Sequence, residues 1–155
     1  LGSGFAPVRK MLDAGVNVAL GTDGAASNNN LNMFEEMHMA AMIARGRSGH
    51  ADEISAAEIL KMATVDGARS QGRMDTGLIK IGYKADLAVV DLDRPHLVPS
   101  YNKLDSLVFS AQGADVVLTM VDGDVLYRDG KYKTIDFPKV CDKISLCLPK
   151  ILSQI

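Results

Sequence analysis

The most constraining stretch of this chain is Val16 to Leu20, a nearly continuous apolar run that ends in Gly21-Thr22-Asp23-Gly24. Apolar residues on both alternating sets of positions suit a β-strand covered on both faces, as in a parallel sheet. Ahead of the run, Pro7 stands at a helix start, Val8, Met11 and Leu12 follow at helical spacing, and Gly15 sits where a left-handed cap is needed. The spacing predicts a helix over Ala6 to Ala14, a glycine turn and a buried strand, which together form the αβ half of a repeating β/α architecture. In a barrel of that kind the active site lies at the carboxyl ends of the strands, where side chains converge. An acid at that position has a job or a partner. Asp23 occupies it, between Gly21 and Gly24, which permit close backbone approach.

A polar loop is expected over Ala25 to Asn30. Asn32 followed by Glu35 has the pattern of a capping box and opens a helix from Met33 to about Ala44, with Met33, Met37, Ala40, Ala41 and Ala44 on one side. Ser55-Ala56-Ala57-Glu58 is a fuller capping box and starts a second helix through about Ala63, with a third, short one over Asp66 to Ser70. After Gly72 the character of the chain changes. Asp86 to Asp91, Val116 to Val121 and Asp124 to Tyr127 read as strands; Asp122-Gly123 joins the last two, and Asp129-Gly130 turns the chain into Lys131 to Thr134. This is an antiparallel meander. The tail, Phe137 to Ile155, places Val140, Ile144, Cys147, Leu148, Ile151 and Ile155 at helical spacing, with Pro149 read as a kink or break. Packing on its own domain is the default for such a helix.

The chain has 155 residues, one domain's worth, and 17 basic against 19 acidic side chains leave no cationic surplus to neutralise nucleic-acid phosphates. No apolar run approaches the roughly 20 residues that span a bilayer, so the reading is soluble and cytoplasmic, with neither nucleic acid nor membrane as partner. Cys141 and Cys147 lack metal or scaffold spacing and are expected reduced. The chain opens on Leu1, not Met, and already in a loop leading into a helix, which reads as a fragment.

The segment GVNVALGTDGAASNNNLNMFEEMHMAA resembles the eighth strand, loop and helix of the amidohydrolase-superfamily barrel. The resemblance is closest to the branch holding 5-methylthioadenosine/S-adenosylhomocysteine deaminases and triazine chlorohydrolases. SAAEILKMATVDGARSQG and IGYKADLAVVDLD are similar to the same family's following helices and its return into a small β-sandwich. The implied α/β fold is the last strand and helices of a (β/α)8 TIM-type barrel over residues 1–72, part of an antiparallel β-sandwich over 73–135, and a C-terminal amphipathic helix over 136–155.

The resemblance also implies a chemistry. One divalent metal ion, zinc or iron, would be held by histidines from earlier strands, with Asp23 as the last ligand and as the catalytic acceptor of a proton from water. The substrate would be an aminopurine nucleoside such as 5-methylthioadenosine or S-adenosylhomocysteine, hydrolytically deaminated. Triazine-type or guanine/cytosine-type substrates are the enzymatic alternatives, and a non-catalytic interaction module is the alternative from another class. Ser27 and Asn28 are candidate substrate contacts from the mouth loop, although polar residues there more often serve caps and turns. His38, His50 and His96 stand alone, so no three-histidine site can be assembled, and His38 reads as a packed or hydrogen-bonded residue. The methionines from Met33 to Met42 read as core packing. The chain is therefore expected to be inactive alone, to need a missing amino-terminal part of the same polypeptide, and to form homo-oligomers through exposed apolar edges.

Overall fold

In the computed structural model, residues 2–154 are described; Leu1 and Ile155, including the last position of the tail's apolar stripe, lie outside them. Helix α1 (Val8–Asp13) ends as its glycine dictates. Gly15 adopts φ +74°, its N–H donates to the Leu12 carbonyl at 2.9 Å, and the Val16 N–H reaches the Met11 carbonyl at 2.9 Å. That pair of bonds is the Schellman cap, which satisfies carbonyls the helix leaves open.

Residues 16–20, expected as a strand, are extended but belong to no sheet among the described residues. A ladder needs a neighbouring strand, and what this segment finds instead is helical: Leu20 N–H donates to the Met62 carbonyl at 3.1 Å. Its apolar residues are used all the same, since Val18 and Leu20 pack against the buried core. The expected loop after Asp23 contains one short helix, α2 (Ala25–Asn28), closed by Asn29 in the left-handed region.

Helix α3 (Met33–Ser48) runs a turn beyond Ala44, because the next left-handed glycine cap is Gly49 at φ +74°. Helix α4 (Ala56–Ala63) opens with the expected box: Ser55 Oγ accepts from Glu58 N, and Glu58 Oε2 accepts from Ser55 N at 2.9 Å. Helix α5 (Val65–Ser70) follows directly. One further helix, α6 (Lys103–Phe109), lies in a stretch the sequence reading left without an element. Its signal is present in retrospect: Asn102 caps it by accepting from Leu104 N, and Leu104 and Val108 have one-turn spacing.

These helices share one core. Met37 and Ala41 of α3, Ile59 and Met62 of α4 and Val108 of α6 are buried together with Ile54 and Ala56, and Phe34, Leu104 and Phe109 pack against them. Each large side chain withdrawn from water contributes on the order of 1.5–3 kcal/mol. Not every methionine joins in: Met39 and Met42 are exposed, on the side of α3 away from that core.

The meander is present. Strands β1 (Leu87–Val90), β2 (Val116–Val121), β3 (Asp124–Arg128) and β4 (Lys131–Tyr132) form one antiparallel sheet in sequence order, with α6 inserted between β1 and β2. Both Asp-Gly pairs turn as hairpins require, Asp122 and Gly123 at φ +51° and +85°, Asp129 and Gly130 at +46° and +82°. Strand β4 is shorter than the expected Lys131 to Thr134.

Helix α7 (Phe137–Leu152) corrects two expectations. It continues through Pro149 to Leu152 instead of breaking there, and it does not pack on this domain: every residue over 131–154 is exposed. Its contact with the sheet is a tilted ring pair, Phe137 on Tyr132, 6.2 Å between centroids. The helical pattern was legible; its covering surface was not, because a pattern states only that one face is apolar.

Candidate active site

The extended segment carrying Asp23 is tied down on its amino-terminal side by the junction of α4 and α5. Besides the Leu20 to Met62 bond, Asn17 Nδ2 donates to the Asp66 carbonyl at 3.0 Å. Asp66 is itself a buried carboxylate. Lys61 Nζ meets its Oδ2 at 2.8 Å, Arg69 approaches Oδ1 at 3.7 Å, and Oδ1 is buried without a hydrogen bond among the described residues. A buried carboxylate held on one oxygen tolerates little displacement, since losing its cation leaves an uncompensated charge.

Asp23 follows with φ +56°, in the left-handed region. Aspartate is one of the few non-glycine residues that visits this region readily. The carboxylate is exposed and has neither hydrogen-bond nor ion-pair partner among the described residues; Thr22 Oγ1 donates only to the Asp23 backbone carbonyl, at 3.1 Å. Asp23 does not cap a helix: the N-cap of α2 is Gly24, with no side-chain cap hydrogen bond.

On the carboxyl-terminal side the loop is bound to the first turn of α3. Asn28 Nδ2 donates to Glu36 Oε1, Asn30 Nδ2 donates to Glu35 Oε2 at 2.9 Å, and Asn30 Oδ1 accepts from Asn32 N at 2.9 Å. Asn32 in turn caps α3 by accepting from Phe34 N at 3.2 Å. The expected Asn32/Glu35 capping box is thus not made: Asn32 caps through Phe34 N and not Glu35 N, and Glu35 reaches the Asn30 amide in place of the cap backbone. Ser27 is exposed with no side-chain partner among the described residues, whereas the Asn28 amide is engaged inside the loop.

The histidines do not converge. His38 Nδ1 lies 2.8 Å from the Phe109 carbonyl, a hydrogen-bonded role as expected, and His96 Nε2 lies 2.9 Å from Asp115 Oδ2. Burial works against ionising Asp115, but the Gln112 N–H and His96 together outweigh it and hold its carboxyl below the usual range. Glu58 is lowered further, to about 2, chiefly by the Ser55 N–H and then by Arg9, whose guanidinium lies 2.7 Å away. Both acids fasten structure. No cluster of three or more His, Cys, Asp or Glu side chains that could hold a metal ion occurs among the described residues. A catalytic zinc site takes three protein ligands. Asp23 fits as one oxygen donor, free and accessible, and no more than one.

Reading the sequence alone missed Asn17, Glu35, Glu36 and Asp66 as supports of this site. Asn17 carried a signal, being the one polar residue in the apolar run; the glutamates carried none beyond their place in a helix's first turn.

The amidohydrolase family signature matches residues 1–126. A 5'-deoxyadenosine deaminase of Methanosarcina acetivorans is 45% identical over 154 residues, covering 99% of this chain and 35% of that protein. A 5-methylthioadenosine/S-adenosylhomocysteine deaminase of Caldanaerobacter subterraneus is 50% identical over 141 residues, 90% of this chain and 33% of that protein. Among solved structures, an adenosine deaminase from Xanthomonas campestris with bound zinc superposes with a TM-score of 0.95 at 34% identity, over 99% of this chain and 35% of that one. The chain thus spans about a third of the length of the relatives it matches. The matched segment holds the extended run, Asp23, the asparagine loop, strands β1 and β2 and the start of β3, and the chain belongs to the amidohydrolase family.

Proposed function

We propose that residues 1–72 form the last strand and helices of a (β/α)8 barrel, residues 73–135 part of a β-sandwich and residues 136–155 a terminal helix, within a metal-dependent aminohydrolase of purine nucleosides. The observation that carries this reading is Asp23: an unpartnered carboxylate on a left-handed backbone at the end of an extended apolar segment, braced on both sides. Relatives named as deaminases of 5'-deoxyadenosine and of 5-methylthioadenosine and S-adenosylhomocysteine support the substrate class. A zinc-bound neighbour supports a divalent ion.

In this reading Asp23 is one ligand of the ion, and histidines on other strands complete the set. When bound, the cation supplies water of lowered pKa. Asp23 Oδ takes a proton from the attacking water as its oxygen bonds to the carbon bearing the exocyclic amine. The same carboxyl then delivers that proton to the departing nitrogen, which leaves as ammonia. The proton left on the oxygen passes to the adjacent ring nitrogen, so the base is left with a carbonyl in place of the amine. Ser27, exposed and free, is the candidate substrate contact; Asn28 serves the loop first. The exposed apolar surface, Ile79, Ile81 and Tyr101 among it, makes self-association of the chain by itself the corresponding proposal for its oligomeric state.

Ammonia release from 5'-deoxyadenosine, 5-methylthioadenosine and S-adenosylhomocysteine, assayed with zinc in a polypeptide spanning the relatives' full length, tests the substrate class. Turnover of at least one nucleoside is expected. Turnover confined to triazines, or none of any aminated heterocycle, contradicts it.

A further inference from the structure

Asp23 is fixed by the backbone at Leu20 on one side, and on the other the first side-chain tie is Asn28, whose Nδ2 donates to Glu36 Oε1 of α3. We propose that Glu36 is a positioning residue: its carboxylate holds Asn28, and through the short helix α2 it sets the direction in which the Asp23 carboxylate leaves its left-handed backbone. This rests on the catalytic reading of Asp23.

The geometry gives the tie a specific task. Between Asp23 and Asn28 lies one helical turn, Ala25 to Asn28, bounded by left-handed residues at both ends, Asp23 at φ +56° and Asn29 at φ +64°. A single turn is too short to hold itself in water, so its orientation has to come from an outside contact. Glu36 is half-buried on a helix whose next turn, at Met37 and Ala41, is locked in the core, so the contact is made from a rigid base. Glu35 repeats the arrangement with Asn30 at 2.9 Å, from an exposed position. A first-turn acid also offsets the helix dipole, but that role needs only negative charge. It gives no reason for Glu36 to face an amide across the loop.

Three substitutions in the zinc-loaded full-length enzyme separate positioning from direct contact. Glu36→Ala removes the tie, and Asn28→Asp sets two carboxylates against each other. Each is expected to lower kcat roughly ten- to a hundredfold and to weaken zinc binding, measured by chelator competition, by a comparable factor, as loss of a supporting contact does. KM should change little. Combining Asn28→Asp with Glu36→Gln reverses the polarity of the bond, the glutamine amide now donating to the new carboxylate, and should restore kcat and zinc affinity to within about threefold of the parent, the pattern of a coupled pair. Hydrogen exchange should quicken over residues 21–32 in the single variants while the α3–α4 core stays protected, which excludes simple misfolding. Parental kcat and zinc affinity in Glu36→Ala, or a double variant no better than Asn28→Asp alone, would overturn the proposal; the latter would mean that Asn28 touches substrate. Loss of activity in Asp23→Asn together with parental behaviour of Glu36→Ala defeats only the tie, whereas full activity in Asp23→Asn removes the reading on which it rests.

Discussion

Two helices of this chain have the same length, 16 residues, and opposite fates. Helix α3 has apolar residues scattered around its circumference, yet Met37 and Ala41 are buried and the helix anchors the loop after Asp23. Helix α7 has the cleaner amphipathic pattern, with Phe137, Val140, Ile144, Leu148 and Ile151 along one face, and buries nothing among the described residues. The difference teaches that periodicity reports what a helix could bury, and tertiary neighbours decide whether it does. Site-bearing and free helices are therefore separated by contacts, and the two should respond differently to the same kind of change.

The largest effect is expected beneath α3. Ile59→Ala, at a fully buried position, should cost about 2–5 kcal/mol in denaturant unfolding, the range for deleting a large core side chain. A loss below about 0.5 kcal/mol, typical of a surface change, would mean that the helices do not share one core. Next comes the support under the extended segment. Asp66→Ala removes a buried carboxylate from Lys61 and should destabilise by roughly 1–3 kcal/mol while speeding exchange over residues 16–20. Unchanged exchange there would detach α5 from the site.

Acid should loosen the α4 end of the same region. Glu58 has its carboxyl lowered from 4.5 to about 2, so its stabilisation is fully present above pH 4.5 and is lost as pH falls through the lowered value. Its side chain is more than a third exposed, so solvent screening reduces the effect to about 1 kcal/mol. The Glu58→Gln variant should flatten the unfolding free energy between pH 4.5 and 2; an equally steep curve would assign the acid sensitivity elsewhere. The smallest effect belongs to α7. Ile144→Ala, on its exposed face, should alter the unfolding free energy of this chain by less than about 0.5 kcal/mol. A loss comparable to that of Ile59→Ala would show that α7 is covered in solution.

What the sequence made legible was local. Gly15 announced a helix end, Ser55 with Glu58 a helix start, and the Asp-Gly pairs their hairpins, because each depends on residues within a turn of one another. Asp23 was legible for the same reason, as an acid at the end of an apolar run between glycines. What needed the fold was distant: α6 closing over the core with Val108, the Leu20 contact with Met62 in place of a ladder, Asn17 reaching Asp66, and α7 standing clear. The Asn28 and Glu36 pair lies between these cases, near in sequence but joined only because α2 folds the loop back onto α3.

The central claim is that the Asp23 carboxylate takes part in the chemistry. Asparagine is nearly the same size and equally tolerant of the left-handed backbone, so Asp23→Asn isolates the charge from the fold. Measured as kcat for ammonia release from the nucleoside turned over best, with hydrogen exchange of residues 16–32 followed in parallel, the variant should lose at least about a thousandfold while exchange stays parental, within the range for removing a general base. Retained turnover with an intact loop would contradict the account.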